Sequence, residues 1–305
     1  MTATGRAQTN VRTYLLLLAL VIVATGWAVS YYQSVTQPPQ TTLLRIGVLP
    51  DRDPSALRRK FEPLLDHLAA HTGIRTTLLI PDDYADIVRM FSAREIDLAY
   101  MGGLTFVQAQ AETGAQALVM RELDTRFTTW FIARPELSVT QRSSVQGKRL
   151  LFGNKLSTSG HLMPRHFLQR QWDIEPETFF SAVGYSGAHD ETVAMVLDGR
   201  YDIGAVSAAF VQRMVDEGSL GRDELQVLWR TPPYPNYVWA VQPDLDGKLK
   251  TSLRNAFLQL DPDKAHDQDI LASLGAQVLL PAGQNDFAML GEIAAGSGAL
   301  PGSGQ

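Results

Sequence analysis

Three hydroxyl residues and a glycine stand where a predicted strand gives way to a predicted helix. Ser157, Thr158 and Ser159 follow the strand 148–154, and Gly160 comes directly after them. Free N–H groups at a helix start, together with the helix dipole, favour an anion, and hydroxyls add further donors. A single hydroxyl is enough for an N-cap. Three of them with a glycine, which lets a ligand approach the backbone, therefore indicate an anion site, with the N-cap as the alternative.

A second glycine-led turn, GAHDET over 187–192, also enters a predicted helix. His189 can donate to an oxyanion, and Asp190 can accept from a protonated ligand oxygen or be an ordinary first-turn acid. Asp202, early in a predicted strand, is either a structural hydrogen-bonding group or a reader of a protonated ligand oxygen. Its counterpart in the first half of the chain, Asp97, is interpreted as structural.

Two tyrosines and a methionine complete the set of candidate ligand-binding residues. Tyr84 stands near the start of the predicted helix 82–95, from which its hydroxyl can reach a cleft. Tyr100 and Met101 lie at the end of the short predicted strand 96–103. Packing in the core or at its rim is the alternative role for each tyrosine.

These residues also include a nucleophile and a base, so a second class of function has to be considered. A hydrolase or transferase would use Ser157 or Ser159 as nucleophile and His189 or His161 as base. A third hypothesis is a binding protein for an uncharged small molecule. The sequence contains no GxSxG elbow, GxGxxG or P-loop motif. We therefore predict a protein that binds its ligand and is not an enzyme, without a cofactor.

Composition excludes several other classes. The chain has 305 residues, no cysteine and a net charge of −5, with no Lys/Arg block that would neutralise nucleic-acid phosphates. The absence of cysteine rules out disulfides and thiolate metal sites. The histidines do not have the spacing of a known metal motif, so no metal site is predicted.

The elements that must position the candidate residues alternate between strands and helices, which indicates an α/β fold. Asp53 has the place of an N-cap, with Pro54 at the first helical position, and the helix is predicted to end at Gly73. The second half of the chain repeats the same order of elements. We predict two lobes with a ligand cleft between them. Lobe 1 comprises 43–134 with 235–293 returning to it, lobe 2 comprises 135–234, and a disordered tail occupies 294–305.

The N-terminus carries a membrane-directed signal. Arg6 and Arg12 precede an uncharged run over 14–32, long enough to cross a bilayer as a helix. The segment 1–32 is predicted to be either a retained anchor or a signal peptide cleaved before Tyr31. A polar linker, 33–42, follows it. Both alternatives place the folded part on the outer side of the bacterial cytoplasmic membrane, anchored there or released into the periplasm.

Six stretches in matching order resemble the periplasmic substrate-binding proteins of phosphonate, phosphite and phosphate ABC transporters. They are IGVLP (46–50), FEPLLDHLAAHTGI (61–74), the segment 81–109, the segment 145–168, GAHDETVAMVLDGRYDIGAV (187–206) and LQVLWRTPPYP (225–235). The resemblance spans roughly 43–260.

The resemblance implies a type II periplasmic-binding-protein-like fold that closes around a small tetrahedral oxyanion. It implies that Ser157, Thr158 and Ser159 bind the ligand oxygens. It also implies that Tyr84, His189 and Asp202 line the same pocket, with an acid at Asp190. Met101 stands where a second tyrosine can occur in the family. The expected partner is an ABC permease or a membrane sensor kinase, and the protein is expected to be a monomer.

Overall fold

The computed structural model describes residues 14–27, 43–139 and 142–300. Residues 14–27 form a helix (α1), and within the described ranges no helix has both the length and the apolarity needed to cross a membrane. The expected anchor or signal segment continues to residue 32, so its last part, like the linker 33–42, lies outside the described residues. Contacts divide the chain into two compact units, Met1–Thr41 and Thr42–Gln305, and the second holds the folded domain.

The folded domain contains two mixed sheets. The first has the strand order β11-β4-β10-β3-β1-β2 and comprises β1 (Leu43–Val48), β2 (Arg75–Leu79), β3 (Leu98–Met101), β4 (Gln116–Arg121), β10 (Val238–Val241) and β11 (Leu279–Pro281). The second has the order β7-β6-β8-β5-β9 and comprises β5 (Thr129–Ala133), β6 (Arg149–Phe152), β7 (Ala182–Tyr185), β8 (Ile203–Ser207) and β9 (Gln226–Arg230).

The α-helices of the folded domain connect these strands. They are α2 (Pro54–Thr72), α3 (Tyr84–Ser92), α4 (Gly103–Thr113), α5 (Met163–Trp172), α6 (Pro176–Phe179), α7 (His189–Leu197), α8 (Ala208–Asp216), α9 (Gly247–Leu258), α10 (Ala265–Leu274) and α11 (Ala288–Gly296). The predicted limits of α2 are confirmed. Asp53 accepts hydrogen bonds from the N–H groups of Ser55 and Ala56, and Gly73 ends the helix at a φ of 70°.

The two sheets share one plan. In each, three parallel strands (β2-β1-β3 and β7-β6-β8) are followed by an antiparallel strand (β10 and β5) that enters after the chain has crossed from the other sheet. An ion pair marks the repeat: the Asp97 carboxylate accepts from the Arg45 backbone N–H at 2.8 Å and from its guanidinium at 2.7 Å. Asp202 accepts from Arg149 at the same two distances.

The predicted boundary between the lobes was wrong by one strand. The prediction makes the strand within 126–134 the end of lobe 1, whereas β5 pairs with β8 and β9 in the second sheet. The chain crosses earlier, through the 3₁₀ turn Glu122–Arg126. A buried strand has the same apolar pattern whichever sheet it joins, so this boundary depends on long-range pairing.

The C-terminal part is more ordered than predicted. The tail expected to be disordered from 294 begins inside α11, where Ala294 is fully buried. The Gln108 side chain also donates to the Ala299 carbonyl at 2.6 Å. Only residues 301–305 of that tail lie outside the described part.

Each sheet is covered by its own core. The first sheet and its helices form one continuous apolar cluster that includes Phe61, Phe91 and Trp239. The second sheet has one cluster on each face: Phe131 of β5 points into one, and its neighbour Ile132 points into the other. Both cores leave the carboxyl ends of the parallel strands free to carry polar side chains.

Candidate anion-binding cleft

The cleft lies at the carboxyl ends of the parallel strands, where ligand sites of open α/β sheets occur. From the second sheet it receives the turn after β6 and the starts of α7 and α8. From the first sheet it receives the residues after β1, the start of α3 and the end of β3. The two crossing segments meet beneath it, where Phe127 and Tyr234 exchange backbone hydrogen bonds of 2.8 and 3.0 Å.

The three hydroxyls after β6 are all buried, and each has a different partner. Ser157 is the N-cap, and its Oγ accepts from the Gly160 N–H at 2.9 Å. The Thr158 Oγ1 accepts from the Leu104 N–H at 2.8 Å, at the start of α4. The Ser159 Oγ lies 3.3 Å from Nε2 of His189. Capping therefore explains one hydroxyl, whereas Thr158 makes a contact across the cleft and Ser159 makes one on its own side.

The backbone at this turn is compact and unusual. Thr158–Leu162 forms a π-helical turn before α5, a feature that is frequent at functional sites. A Cβ on Gly160 would lie 2.9 Å from the Ser157 Oγ and 3.1 Å from the Gly153 Cα. Glycine is thus required at position 160 by the close approach of the turn to the end of the strand.

Tyr84 and the hydroxyl cluster are brought together from opposite sheets. Tyr84 is the first residue of α3 and is 2% exposed. The Ser157 side chain is close enough to act on the pKa of its phenol. Burial, with the nearby charge of Asp51, raises the pKa of Tyr84 well above its usual value, so the phenol is a neutral donor.

His189 connects the hydroxyls to the interior. Burial lowers its pKa to about 4, against the opposing effects of Asp51 and Asp190, so the ring is neutral at pH 7. Its Nδ1 is buried and has no hydrogen-bond partner among the described residues. The same is true of the Tyr100 hydroxyl. Two polar atoms at one cavity are thereby left for a ligand.

That cavity, which we call the cationic cavity, combines residues from both sides of the cleft. It is lined by Asp51, Arg52, Lys60, Tyr100, Arg121, Phe127, His189, Ser207, Ala209, Phe210, Arg213 and Tyr237. Arg52 from the first sheet lies over the Phe210 ring of α8, 5.2 Å from its centroid. Asp51 accepts from the Tyr237 hydroxyl at 2.9 Å. The side chains are therefore held in place without a ligand.

The charges around the cationic cavity favour a negatively charged ligand. Burial, reinforced by the charges of Arg52 and Arg121, holds the pKa of Lys60 well below its usual value. Burial alone would raise the pKa of Asp51, but the charges of Arg52 and Lys60, with the hydrogen bond from Tyr237, hold that pKa low. An anion entering here would stabilise the charged form of Lys60.

The remaining predicted site residues lie at different distances from the cleft. Asp190 is half-buried in the first turn of α7, close enough for its charge to raise the pKa of Tyr84 and His189. Met101 is fully buried at the end of β3 and packs in the first core. Neither Met101 nor Asp190 lines the cationic cavity.

Asp202 has a structural place, which corrects its prediction as a pocket residue. It precedes β8, so the five residues of that strand separate it from the cleft end by roughly 17 Å. Its carboxylate is paired with Arg149, as that of Asp97 is with Arg45. Asp202 therefore has the same structural role as the role predicted for its counterpart, Asp97.

The prediction did not include the charged residues of the cationic cavity. One signal was present for Lys60: it lies on the same helical stripe as Leu57, Phe61 and Leu64, all of them core residues. A lysine on that stripe has to be buried with a compensating partner or beside a cavity. Arg121 and Arg213 carried no comparable signal.

Stability should fall as the pH decreases from 6.5 towards 4. The unfolded chain protonates His189 near pH 6.5, whereas the folded chain does so only near 4, so the unfolded state binds more protons between these values. At about 1.4 kcal/mol per pH unit, His189 alone accounts for about 3 kcal/mol. Burial lowers the pKa of His161 to about 4 as well, which acts in the same direction.

Urea unfolding at pH 7, 5.5 and 4.5 measures this effect. His189→Gln, which does not titrate, should flatten the dependence. An equally steep loss in His189→Gln would show that the buried ring is not its source.

The protein has two lobes, each built on one mixed sheet with helices, and a cleft between them. Buried hydroxyls at the start of a helix line this cleft. These features define a two-lobe substrate-binding protein. The family model for the ABC transporter, phosphonate, periplasmic substrate-binding protein matches residues 46–287. The chain therefore belongs to that family. It is a solute-binding protein of the phosphonate-type ABC transporters, and the predicted fold class is confirmed.

Named relatives agree with this assignment. A probable ABC transporter phosphite binding protein, PhnD1 of Prochlorococcus marinus, is 28% identical over 82% of this chain and 88% of its own. The phosphate-import protein PhnD of Mycolicibacterium smegmatis is 25% identical over 74% of each chain. The structure of the Prochlorococcus PhnD1 with methylphosphonate superposes with a TM-score of 0.80 at 26% identity, covering 86% of this chain and all of the other. Family membership places the protein in the periplasm with a small-molecule ligand and a permease partner.

Proposed function

We propose that this protein captures a small tetrahedral oxyanion of the phosphonate, phosphite or phosphate type between its two sheets. The observation that carries the proposal is the buried hydroxyl cluster after β6, which contacts the start of α4 on the first sheet and His189 on the second. Tyr84 of the first sheet is close enough for the Ser157 side chain to act on its pKa. Neutral hydroxyls and helix-start N–H groups hold a desolvated anion without needing a basic protein. Ser159, His189, Tyr84 and Tyr100 are the proposed ligand contacts.

The charge of the cleft supports a multiply charged ligand. Asp51 and Asp124 neutralise Arg52 and Arg121 at 3.2 and 2.6 Å. Lys60 and Arg213 have no carboxylate within 4.0 Å among the described residues. A doubly charged oxyanion near His189 would balance the charge of Arg213 and stabilise the charged form of Lys60, which a neutral solute would not do.

Binding without turnover fits the geometry better than hydrolysis. Ser159 and His189 have the residue types of a nucleophile and a base, yet a catalytic base is normally oriented by a third group. Nδ1 of His189 has no such partner among the described residues. The alternative base, His161, accepts from the Arg165 guanidinium at 3.1 Å, and its Nδ1 lies 2.8 Å from the Lys155 carbonyl.

We further propose that the protein works as a monomer that delivers its ligand to an ABC permease. The uncharged run 14–32 would direct it across the cytoplasmic membrane, as an anchor or as a cleaved signal. This part of the proposal rests on the sequence of the whole run, because the described helix 14–27 is too short to cross a membrane alone. The mature N-terminus, read by mass spectrometry, decides between the two forms.

Calorimetry on the purified full-length chain tests the proposed ligand class. We expect heat and one site per chain with methylphosphonate, phosphite or phosphate, and weaker binding of sulfate and uncharged solutes. The same oxyanion should raise the melting temperature, since a ligand that binds only the folded state stabilises it. Absence of binding to every tetrahedral oxyanion would overturn the proposal. Sustained turnover of a phosphoester would overturn the part that excludes catalysis.

A further inference from the structure

A group of histidines lies on the first sheet's helical layer, apart from the hydroxyl cluster and the cationic cavity. His67 belongs to α2, whereas His266 and Asp267 belong to the first turn of α10. Each offers one ligand atom, and these atoms lie within 4.8 Å of one another. Residues 199 positions apart are thus brought together by the packing of α10 on α2.

We propose that His67, His266 and Asp267 form a site for one Zn²⁺ ion, which fastens α10 to α2. Two imidazoles and a carboxylate are the donor set that zinc accepts, and a fourth position is left for water or another residue. Calcium and magnesium prefer oxygen donors only, so two histidines disfavour them.

His67 is prepared for this role by its surroundings. Its Nε2 lies 2.8 Å from the Ala256 carbonyl, which can only accept, so Nε2 carries the hydrogen. In the neutral ring Nδ1 then keeps its lone pair, and such a carbonyl contact is the usual outer support of a metal-binding histidine.

A third imidazole stands beside these three residues. The ring of His71, one turn further along α2, lies 4.1 Å from that of His67 between centroids. Its Nδ1 contacts the His67 carbonyl at 3.1 Å, which leaves Nε2 with the lone pair. The exposed ring of His71 is therefore in reach of the fourth coordination position by a rotation of its side chain.

The side chains of His266 and Asp267 can rotate to coordinate a metal ion at a small cost in free energy. His266 is exposed, and Asp267 is half-buried, with one carboxylate oxygen accepting from the Asp261 N–H at 3.1 Å. Its other oxygen remains for a cation. Donors of a tetrahedral zinc site lie closer together than 4.8 Å, so a small rotation of His266 completes the geometry.

Zinc titration of the full-length, metal-stripped chain tests the site directly. We expect one Zn²⁺ per chain by calorimetry, and a rise in melting temperature with added Zn²⁺, because the metal links two helices of the folded state. His266→Ala removes an exposed ligand without disturbing the core and should weaken Zn²⁺ binding about tenfold or more. Asp267→Asn, which keeps an oxygen for the Asp261 N–H, should weaken it as well.

His166→Ala is the matched control, since it removes a partly exposed histidine from α5 and should leave Zn²⁺ binding unchanged. Binding at other sites only would appear as equal affinity in His266→Ala and the unmodified chain, and this would overturn the proposal. Absence of a thermal shift with Zn²⁺ in the unmodified chain would overturn it too. Neither result bears on oxyanion binding, which is measured without metal.

Discussion

Replacing Asp124 with alanine is expected to lower the free energy of unfolding by about 3–5 kcal/mol. Asp124 is fully buried in the crossing segment after β4, and its carboxylate accepts from the Arg121 guanidinium at 2.6 and 2.8 Å. Alanine would leave Arg121 buried without a counter-charge, at the cavity that the buried Lys60 also lines. The uncompensated cation, rather than the lost attraction, accounts for most of the cost.

A matched variant separates burial from pairing. Asp202 makes the same kind of two-oxygen pair with Arg149, but the two side chains are 20% and 42% exposed. Asp202→Ala should therefore cost only about 1 kcal/mol or less. Urea unfolding of both variants measures the contrast, and Arg121→Met/Asp124→Leu should recover much of the loss. Equal losses in the two single variants would contradict the argument.

Local signals in the sequence predicted the elements more reliably than their arrangement. The helix α2 was predicted from an N-cap aspartate, a first-turn proline and a terminal glycine, all of which act within a few residues. The sheet that β5 joins depends on contacts between distant residues. So does the ordered structure of the C-terminal part, including α11. No periodicity within the chain specifies such contacts, so the boundary at 134 and the tail at 294 were misplaced.

The candidate site shows the same division. The hydroxyl cluster, Tyr84 and His189 were found because each stands at a helix start, and a helix start is visible in sequence. Tyr237 and Arg121 reach the cationic cavity only through the two crossing segments, whose meeting at Phe127 and Tyr234 is a tertiary contact. The prediction for Asp202 failed for another reason. Its structural twin, Asp97, had already been interpreted correctly, and the repeat should have decided both.

Replacing Ser159 with alanine is expected to weaken oxyanion binding by roughly 10- to 150-fold. Ser159 is 1% exposed, and its hydroxyl lies 3.3 Å from Nε2 of His189, whose Nδ1 has no hydrogen-bond partner among the described residues. A hydrogen bond to a charged group is worth about 1.5–3 kcal/mol, and each 1.4 kcal/mol is about tenfold in affinity. Calorimetry with the best-binding oxyanion measures the change. Ser219→Ala, at an exposed serine far along the chain, is the control and should bind normally.

Thr158→Val distinguishes ligand contact from closure of the cleft. The Thr158 hydroxyl accepts from the Leu104 N–H, so valine removes a contact between the two sides of the cleft. Closing the cleft then stabilises the bound form less, by about 0.5–1.5 kcal/mol for a neutral hydrogen bond, or roughly 2- to 13-fold in affinity. The loss in Thr158→Val should thus be smaller than in Ser159→Ala. The reverse order would mean that the ligand is held mainly by closure, and that the Ser159 hydroxyl serves to hold His189.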